Sequence, residues 1–211
     1  MSNHGSNVSS QRMDDLDRLS LMFVLNRAES NHVVDIGCGD AFQTLRFCLL
    51  QRKVFAYDIV RPENILSLVG SLSIAPRFKF NEADLAHLAV VEFPRRIDCI
   101  YSQRFIHYLR FQEAKKLLSR LFANTVRTGK IFISASGISS ELSTGYFGLN
   151  HSLETRYANL STHMEEKHGI FAPVCLYSED DLLQLMSVSG FECERLWRSK
   201  FGNLKCVAVK K

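Results

Sequence analysis

Short apolar runs alternate with longer amphipathic segments along most of this chain, and that alternation limits its possible folds more than any other feature. The runs His32 to Ile36, Val54 to Tyr57, Phe78 to Phe80, Ile97 to Tyr101 and Lys130 to Ser134 have the length and side-chain types of buried strands. Between them, residues 43–50, 63–72 and 111–126 set apolar side chains at helical spacing. Parallel neighbouring strands need long crossovers, which helices supply, so the pattern predicts a mostly parallel α/β sheet. Ahead of the first strand, Met13 to Arg27 carries Leu16, Leu19 and Phe23 at helical spacing and predicts a further helix beside the sheet.

The carboxyl end departs from the alternation. Ser178-Glu179-Asp180-Asp181 is a capping-box signal for a helix running through Met186, with Gly190 placed to stop it. Phe191 to Trp197 and Lys205 to Val209 then predict two antiparallel strands joined through Gly202-Asn203. Residues 137–176 fit no strand–helix alternation. A connection that long is functional or carries its own helices, so this segment is expected to be a cap over the substrate, with a helix across Ser152 to His168. The whole of 1–211 is expected to form one domain, with the Ser- and Asn-rich residues 1–11 disordered.

With 211 residues, 46% of them hydrophobic, the chain can bury one sizeable core. No apolar run approaches the roughly 18 residues of a membrane span, and Met1 to Gln11 lacks the apolar stretch of a secretory leader. The expectation is a cytoplasmic protein without membrane attachment. Six scattered cysteines without a C-x-x-C pair speak against a zinc ribbon or a disulfide scaffold, and Cys99 and Cys206 read as core filling. The net charge of +4 is spread over small clusters such as Arg95-Arg96 and Lys115-Lys116, which disfavours a nucleic-acid partner.

The strongest chemical signal is Val33-Val34-Asp35-Ile36-Gly37-Cys38-Gly39-Asp40, a strand ending in a carboxylate and two alternate glycines. Glycine admits a close-lying ligand, and the amino end of the following helix favours a carboxylate or phosphate. Asp58 ends the next strand, where an acid can accept the ribose hydroxyls of an adenosine, with Ile59 beside it. Asp84-Leu85 follows the third, a carboxylate for an exocyclic amine and an apolar side chain to cover a base. Three acids after three successive strands line up along the carboxyl edge, where open α/β sheets bind ligands. Each also has a structural reading: Asp35 as a turn cap, Asp58 as a loop initiator and Asp84 as a helix cap at Leu85 to Val90. Asp40 reads as the cap of the helix after the glycine turn.

These residues resemble the class I S-adenosylmethionine-dependent methyltransferases, particularly those acting on small molecules, over roughly Ser30 to Lys211. Asp35-Ile36-Gly37-Cys38-Gly39 resembles that family's first motif, Asp58 its ribose-binding acid, Asp84 its adenine-binding acid, and Ile97 to Ser102 its fourth motif. The resemblance implies a Rossmann-like sheet of seven strands with an antiparallel terminal hairpin, helices on both faces and the cap following the fifth strand. It implies S-adenosyl-L-methionine as cofactor and S-adenosyl-L-homocysteine as product, with Gly37, Cys38 and Gly39 under the methionine part. In two places the chain departs from the pattern: Phe42 stands where a third glycine is common, and Gly129 lacks a preceding proline. Phe42 speaks against a nicotinamide cofactor, whose pyrophosphate needs close approach of the helix.

Methyl transfer from a sulfonium is an in-line displacement, so alignment and exclusion of water are the protein's main tasks and a base is optional. His107 is the candidate base, or else a histidine packed under a helix. Ser102 and Gln103 follow the same strand and are expected to line the cofactor site. Arg104 reads either as a solvated arginine or as a group for an acidic substrate. In the cap, Tyr146 is a candidate catalytic residue, and His151, Glu154, Arg156, Tyr157, His163 and His168 are candidate substrate contacts. Their spacing suits no metal. Ser102-Gln103-Arg104-Phe105 does not resemble the Asn/Asp-Pro-Pro-aromatic run of enzymes that methylate nucleic-acid bases, so a small-molecule acceptor is the expectation. A protein or nucleic-acid acceptor, a nucleotide-binding scaffold without catalysis and a nicotinamide-dependent oxidoreductase are the alternatives.

Overall fold

The computed structural model describes residues 13–27 and 32–211. The segment 1–11, expected to be disordered, lies outside the described residues. Among these residues seven strands form one sheet: β1 His32–Ile36, β2 Lys53–Asp58, β3 Phe78–Glu82, β4 Ile97–Ser102, β5 Thr125–Ala135, β6 Glu192–Arg198 and β7 Leu204–Val209. Their order is β3-β2-β1-β4-β5-β7-β6. The first five run parallel, whereas β7 pairs antiparallel with both β5 and β6. The helices are α1 Asp15–Leu25, α2 Phe42–Leu49, α3 Glu63–Ser71, α4 Phe111–Asn124, α5 Thr162–His168 and α6 Glu179–Val188. None is long and apolar enough to cross a membrane.

The two-residue period of the strands sorts their side chains into two cores. Val34, Ile100, Ile131, Ile133 and Cys206 face one side, where α4 and α6 bring Leu117, Leu121, Leu182 and Leu185. Val33, Cys99, Phe132 and Val207 face the other, against Leu16, Phe47 and Ile65 of α1, α2 and α3. The central strands are covered on both faces, which is why they read as unbroken apolar runs. The hairpin loop is longer than a two-residue turn: five residues, Ser199 to Asn203, separate β6 from β7, with Ser199 N donating to Asn203 O at 2.8 Å.

α1 is tied across the sheet by polar groups. Asp14 caps it in a capping box with Asp17, and the buried Asp17 carboxylate accepts the Tyr101 hydroxyl from β4. A second tie runs from β1 to α2, where Thr44 Oγ1 donates to Asp35 Oδ2 at 2.5 Å. Asp35 is fully buried, and desolvation raises its pKa from 3.8 to about 7, with the nearby Asp58 charge adding to the rise. α2 begins at Ala41 in a left-handed conformation (φ 56°) with no side-chain cap, so the expectation of an Asp40 cap does not hold.

Within residues 137–176, Leu142, Tyr146, Leu160, Met164, Ile170, Val174 and Leu176 form a cluster of their own, while Leu153 and Cys175 join the core on the α4–α6 face of the sheet. The helix expected across Ser152 to His168 is confined to α5. Before it, Ala158 bridges antiparallel to Val174, and Arg156 is drawn away to pair with Asp181 at the start of α6. Pairing across the segment thus replaces a helix that side-chain spacing alone suggested. Tyr146 is also corrected: it is buried in this cluster, and its hydroxyl lies against the carbonyls of Arg156 and Val174, the latter at 2.6 Å. Its hydroxyl fastens the two sides of this segment to each other.

Two outcomes follow from these contacts. Tyr146→Phe removes the donor between two buried carbonyls and should lower unfolding free energy by about 1–2 kcal/mol in urea titration, without changing affinity for S-adenosylhomocysteine. Because the folded pKa of Asp35 lies above its unfolded value of 3.8, its favourable contribution is complete below that value and is lost as pH rises through about 7. The stability of the cofactor-free protein relative to Asp35→Asn should therefore rise between pH 8 and pH 5. A difference that does not change with pH would show that Asp35 titrates normally.

Candidate active site

β1 and β4 are adjacent in the sheet, but the chain leaves them in opposite directions, toward β2 and toward β5. Such a switch point opens a crevice at the carboxyl ends of the strands. A cleft of about 1290 Å3 lies there. Gly37, Gly39, Asp58, Ile59, Asp84 and Leu85 line one half of it.

Asp58 organises that half. Its Oδ2 accepts the Gly39 amide at 2.8 Å, and its Oδ1 accepts the Val60 amide at 3.1 Å. Since an ionised carboxylate offers about four acceptor positions, these two bonds hold its orientation and leave capacity for a ligand's hydroxyls. Gly37 and Gly39 both have positive φ, 66° and 51°. At Gly37 the close neighbour is internal: a Cβ there would meet Phe105 Cγ at 2.3 Å, so this glycine makes room for the Phe105 ring, which also lines the cleft. Ile59 is half-exposed and Leu85 buried, and the two flank the cleft beyond β2 and β3. Asp84 spends part of its carboxylate on a local turn, accepting Ala86 N at 2.9 Å and contacting His87 Nδ1 at 2.8 Å.

Three expected site residues lie beneath this surface. Asp35, Cys38 and Ser102 do not line the cleft. Asp35 acts through Thr44 on the helix after the turn, and Ser102 is buried with its hydroxyl unpartnered among the described residues. Gln103 does line it, donating from Nε2 to Asp14 Oδ2 at 2.7 Å.

The other half of the cleft lies over β4, β5 and β7. His107, in a 3-10 turn after β4, is buried and lines it. Its Nε2 is 3.4 Å from Ser136 Oγ, and its Nδ1 is 3.5 Å from Ser136 N. The cap is laced to the same spot, because His107 O accepts Cys175 N at 2.8 Å and Ser136 O accepts Tyr177 N at 3.0 Å. Of the cap residues singled out, Tyr157 and His168 reach the cleft, together with Leu142 and Ile170. His151, Glu154 and His163 are on the surface. Tyr108 lines the cleft beside His107, its phenol raised by burial against the opposing effect of the Arg104 charge.

A cluster that sequence reasoning missed closes the cleft near α1. Lys205 of β7 is buried between Asp14 (2.7 Å) and Asp15, and Asp15 Oδ2 accepts Trp197 Nε1 at 2.7 Å. Burial alone would pull the Lys205 ammonium down, but the two carboxylates hold it above its ordinary value. These partners lie about 190 positions apart in the chain, a distance over which no local pattern operates.

Comparison with known proteins agrees with this geometry. The methyltransferase-domain family matches residues 7–196. No curated protein matches the sequence. Among solved structures, the chain is similar to 1,6-didemethyltoxoflavin-N1-methyltransferase of Burkholderia thailandensis, with bound 1,6-didemethyltoxoflavin and S-adenosylhomocysteine. That similarity has a TM-score of 0.68 and 18% identity, and covers 96% of this chain and 81% of that one. It is also similar to magnesium protoporphyrin IX methyltransferase of Synechocystis PCC 6803 with bound S-adenosylmethionine, at TM-score 0.61 and 16% identity, covering 93% and 78%. An O-methyltransferase family protein of Burkholderia thailandensis superposes with TM-score 0.66 at 15% identity, covering 97% of this chain and 56% of that one. With the family matching nearly the whole chain, and a sheet of the same architecture carrying the glycine turn and its acid, this protein belongs to the methyltransferase-domain family of S-adenosylmethionine-dependent enzymes.

Proposed function

We propose that this protein transfers the methyl group of S-adenosylmethionine to a small-molecule acceptor held beneath the 137–176 cap. The observation that carries this reading is the continuity of one cleft from the glycine turn and Asp58 to His107 and the cap residues Leu142, Tyr157 and Ile170. The cofactor supplies an electrophilic methyl on a positively charged sulfur, and the chain's residues hold and align the two partners. Gly37 and Gly39 take the amino-acid part of the cofactor, with Asp35 and Cys38 setting the turn from below. Asp58 takes the ribose through the acceptor positions its two amides leave open. Asp84 and the apolar side chains Ile59 and Leu85 take adenine, and Gln103, with Ser102 behind it, borders the middle of the site.

On the acceptor side, His107 is the base. Buried, with Ser136 N and Oγ at 3.5 and 3.4 Å from its two ring nitrogens, it can accept the proton that a hydroxyl or amine loses as the methyl arrives once the acceptor displaces Ser136 from one of them. Leu142, Tyr157 and Ile170 of the cap cover the acceptor side of the cleft with apolar surface. The similar structures named for small organic acceptors, a didemethyltoxoflavin and a magnesium porphyrin, support the same class.

Calorimetric titration with S-adenosylhomocysteine tests the cofactor half. The wild type should bind. Asp58→Ala should lose about 2 kcal/mol of binding, the scale of charge-assisted hydrogen bonds, and Gly39→Arg should lose binding altogether; unchanged affinity in both variants would falsify the assignment. For the acceptor half, His107→Gln should lower kcat by about a hundredfold and flatten the acid limb of the pH–rate profile, at constant affinity for S-adenosylhomocysteine. A profile identical to that of the wild type would remove His107 from the reaction.

A further inference from the structure

Six non-glycine residues among those described have left-handed backbone: Ala41, Gln51, Ser73, Arg96, Arg104 and Thr128. Of these, only Arg104 (φ 51°) lines the cleft. An arginine in this conformation is held at a cost that glycine would not incur, and such residues persist where surrounding structure enforces them, often at functional sites. Here the enforcement is visible: Arg104 N donates to both the carbonyl (3.1 Å) and the hydroxyl (2.9 Å) of Ser134, which ties it to β5. β4 and β5 frame the acceptor half of the cleft, across β1 from the strands that carry Asp58 and Asp84. The apolar walls around that half come from Phe105, Tyr108, Leu109, Leu142, Tyr157 and Ile170, and Ser136, Ser140, Glu141 and His168 line it as well.

Resting on the methyl-transfer reading above, we propose that Arg104 is an acceptor-specificity residue. Its guanidinium takes an oxyanion group on an acceptor whose aromatic body fills the apolar chamber. A planar guanidinium matches carboxylate and phosphate in a two-point grip that ammonium cannot reproduce. The left-handed turn directs the chain so that position 104 borders the acceptor while Phe105 packs back on Gly37 and His107 follows in the same chamber. One short segment thereby carries both the candidate base and the group that selects the acceptor.

The chain's single tryptophan, Trp197, lines the cleft and serves as a built-in probe. Its fluorescence is followed at saturating S-adenosylhomocysteine while benzoate, phenyl phosphate or benzyl alcohol is added. At least one of the two anions should bind about tenfold or more tightly than the neutral alcohol, and the tighter one identifies the oxyanion as carboxylate or phosphate. Arg104→Gly should abolish that preference without lowering the melting temperature, because glycine accepts this backbone conformation without strain. A wild type that binds S-adenosylhomocysteine but treats acid and alcohol alike, or binds none of the three, overturns the role of Arg104 and leaves methyl transfer standing. An Arg104→Gly variant that keeps the preference does the same. Failure of the wild type to bind S-adenosylhomocysteine overturns both.

Discussion

The site depends on the grip of the Asp58 carboxylate on the Gly39 amide. β1 and β2 are neighbouring parallel strands in register from His32 to Ile36, so their carboxyl ends emerge side by side. The turn after β1 would still be free to take several paths. One oxygen of Asp58 fixes it by taking Gly39 N, while the other takes Val60 N and shapes the loop after β2. Tyr57 O completes the arrangement, accepting the amides of Gly37 and Cys38. Two glycines of positive φ are needed because the chain must double back at once, and because the Phe105 ring fills the space that a side chain at Gly37 would occupy. A single carboxylate thus sets the turn and presents its remaining lone pairs to the cleft, which explains why an acid at the end of β2 and glycines at the end of β1 occur together.

Much of the sheet was legible in the sequence because burial on both faces makes each central strand a continuous apolar run, bounded by residues that cannot be buried. Val33 and Val34 illustrate this, one contributing to each core. In the reversed hairpin β7 was legible for the same reason, whereas β6 is an edge strand with no buried residue and was placed with the help of Gly202 at the turn. The cofactor half of the site was readable because its acids sit at strand ends, where position along the chain translates directly into position along the sheet edge. Burial was not readable. Asp35, Cys38 and Ser102 belong to the same motifs as Gly37 and Gln103, yet they lie under the cleft surface, and side-chain direction at a strand end depends on a twist that the sequence does not display.

The cap resisted reading for a different reason. Leu153, Tyr157, Leu160 and Met164 recur at helical spacing, but their partners are non-local. Ala158 is paired with Val174, Arg156 is held by Asp181 and Leu176 O, and Tyr146 bridges the two sides of the segment. Side-chain period decides between helix and extended chain only when no stronger tertiary pairing competes. The same holds for the Asp14, Asp15 and Lys205 cluster. Asp14 and Asp15 fall at the start of the expected helix and Lys205 in an expected strand; both elements form, and neither expectation says that these three residues meet.

The charges around the cleft bear on the reaction itself. Methyl transfer from a sulfonium to an anionic or deprotonated acceptor brings opposite charges together and ends with both reduced, so it is favoured where water does not stabilise the separated charges. The structure has the matching features. Asp58 is anchored to backbone amides, and the other half of the cleft takes the apolar side chains Leu142, Tyr157 and Ile170 from residues 137–176, which are fastened to His107 and Ser136 through main-chain bonds. The main-chain bonds from Cys175 N to His107 O and from Tyr177 N to Ser136 O fix residues 137–176 against the turn after β4 and the end of β5. Alignment of the two partners and exclusion of water are what an in-line displacement most requires from its protein.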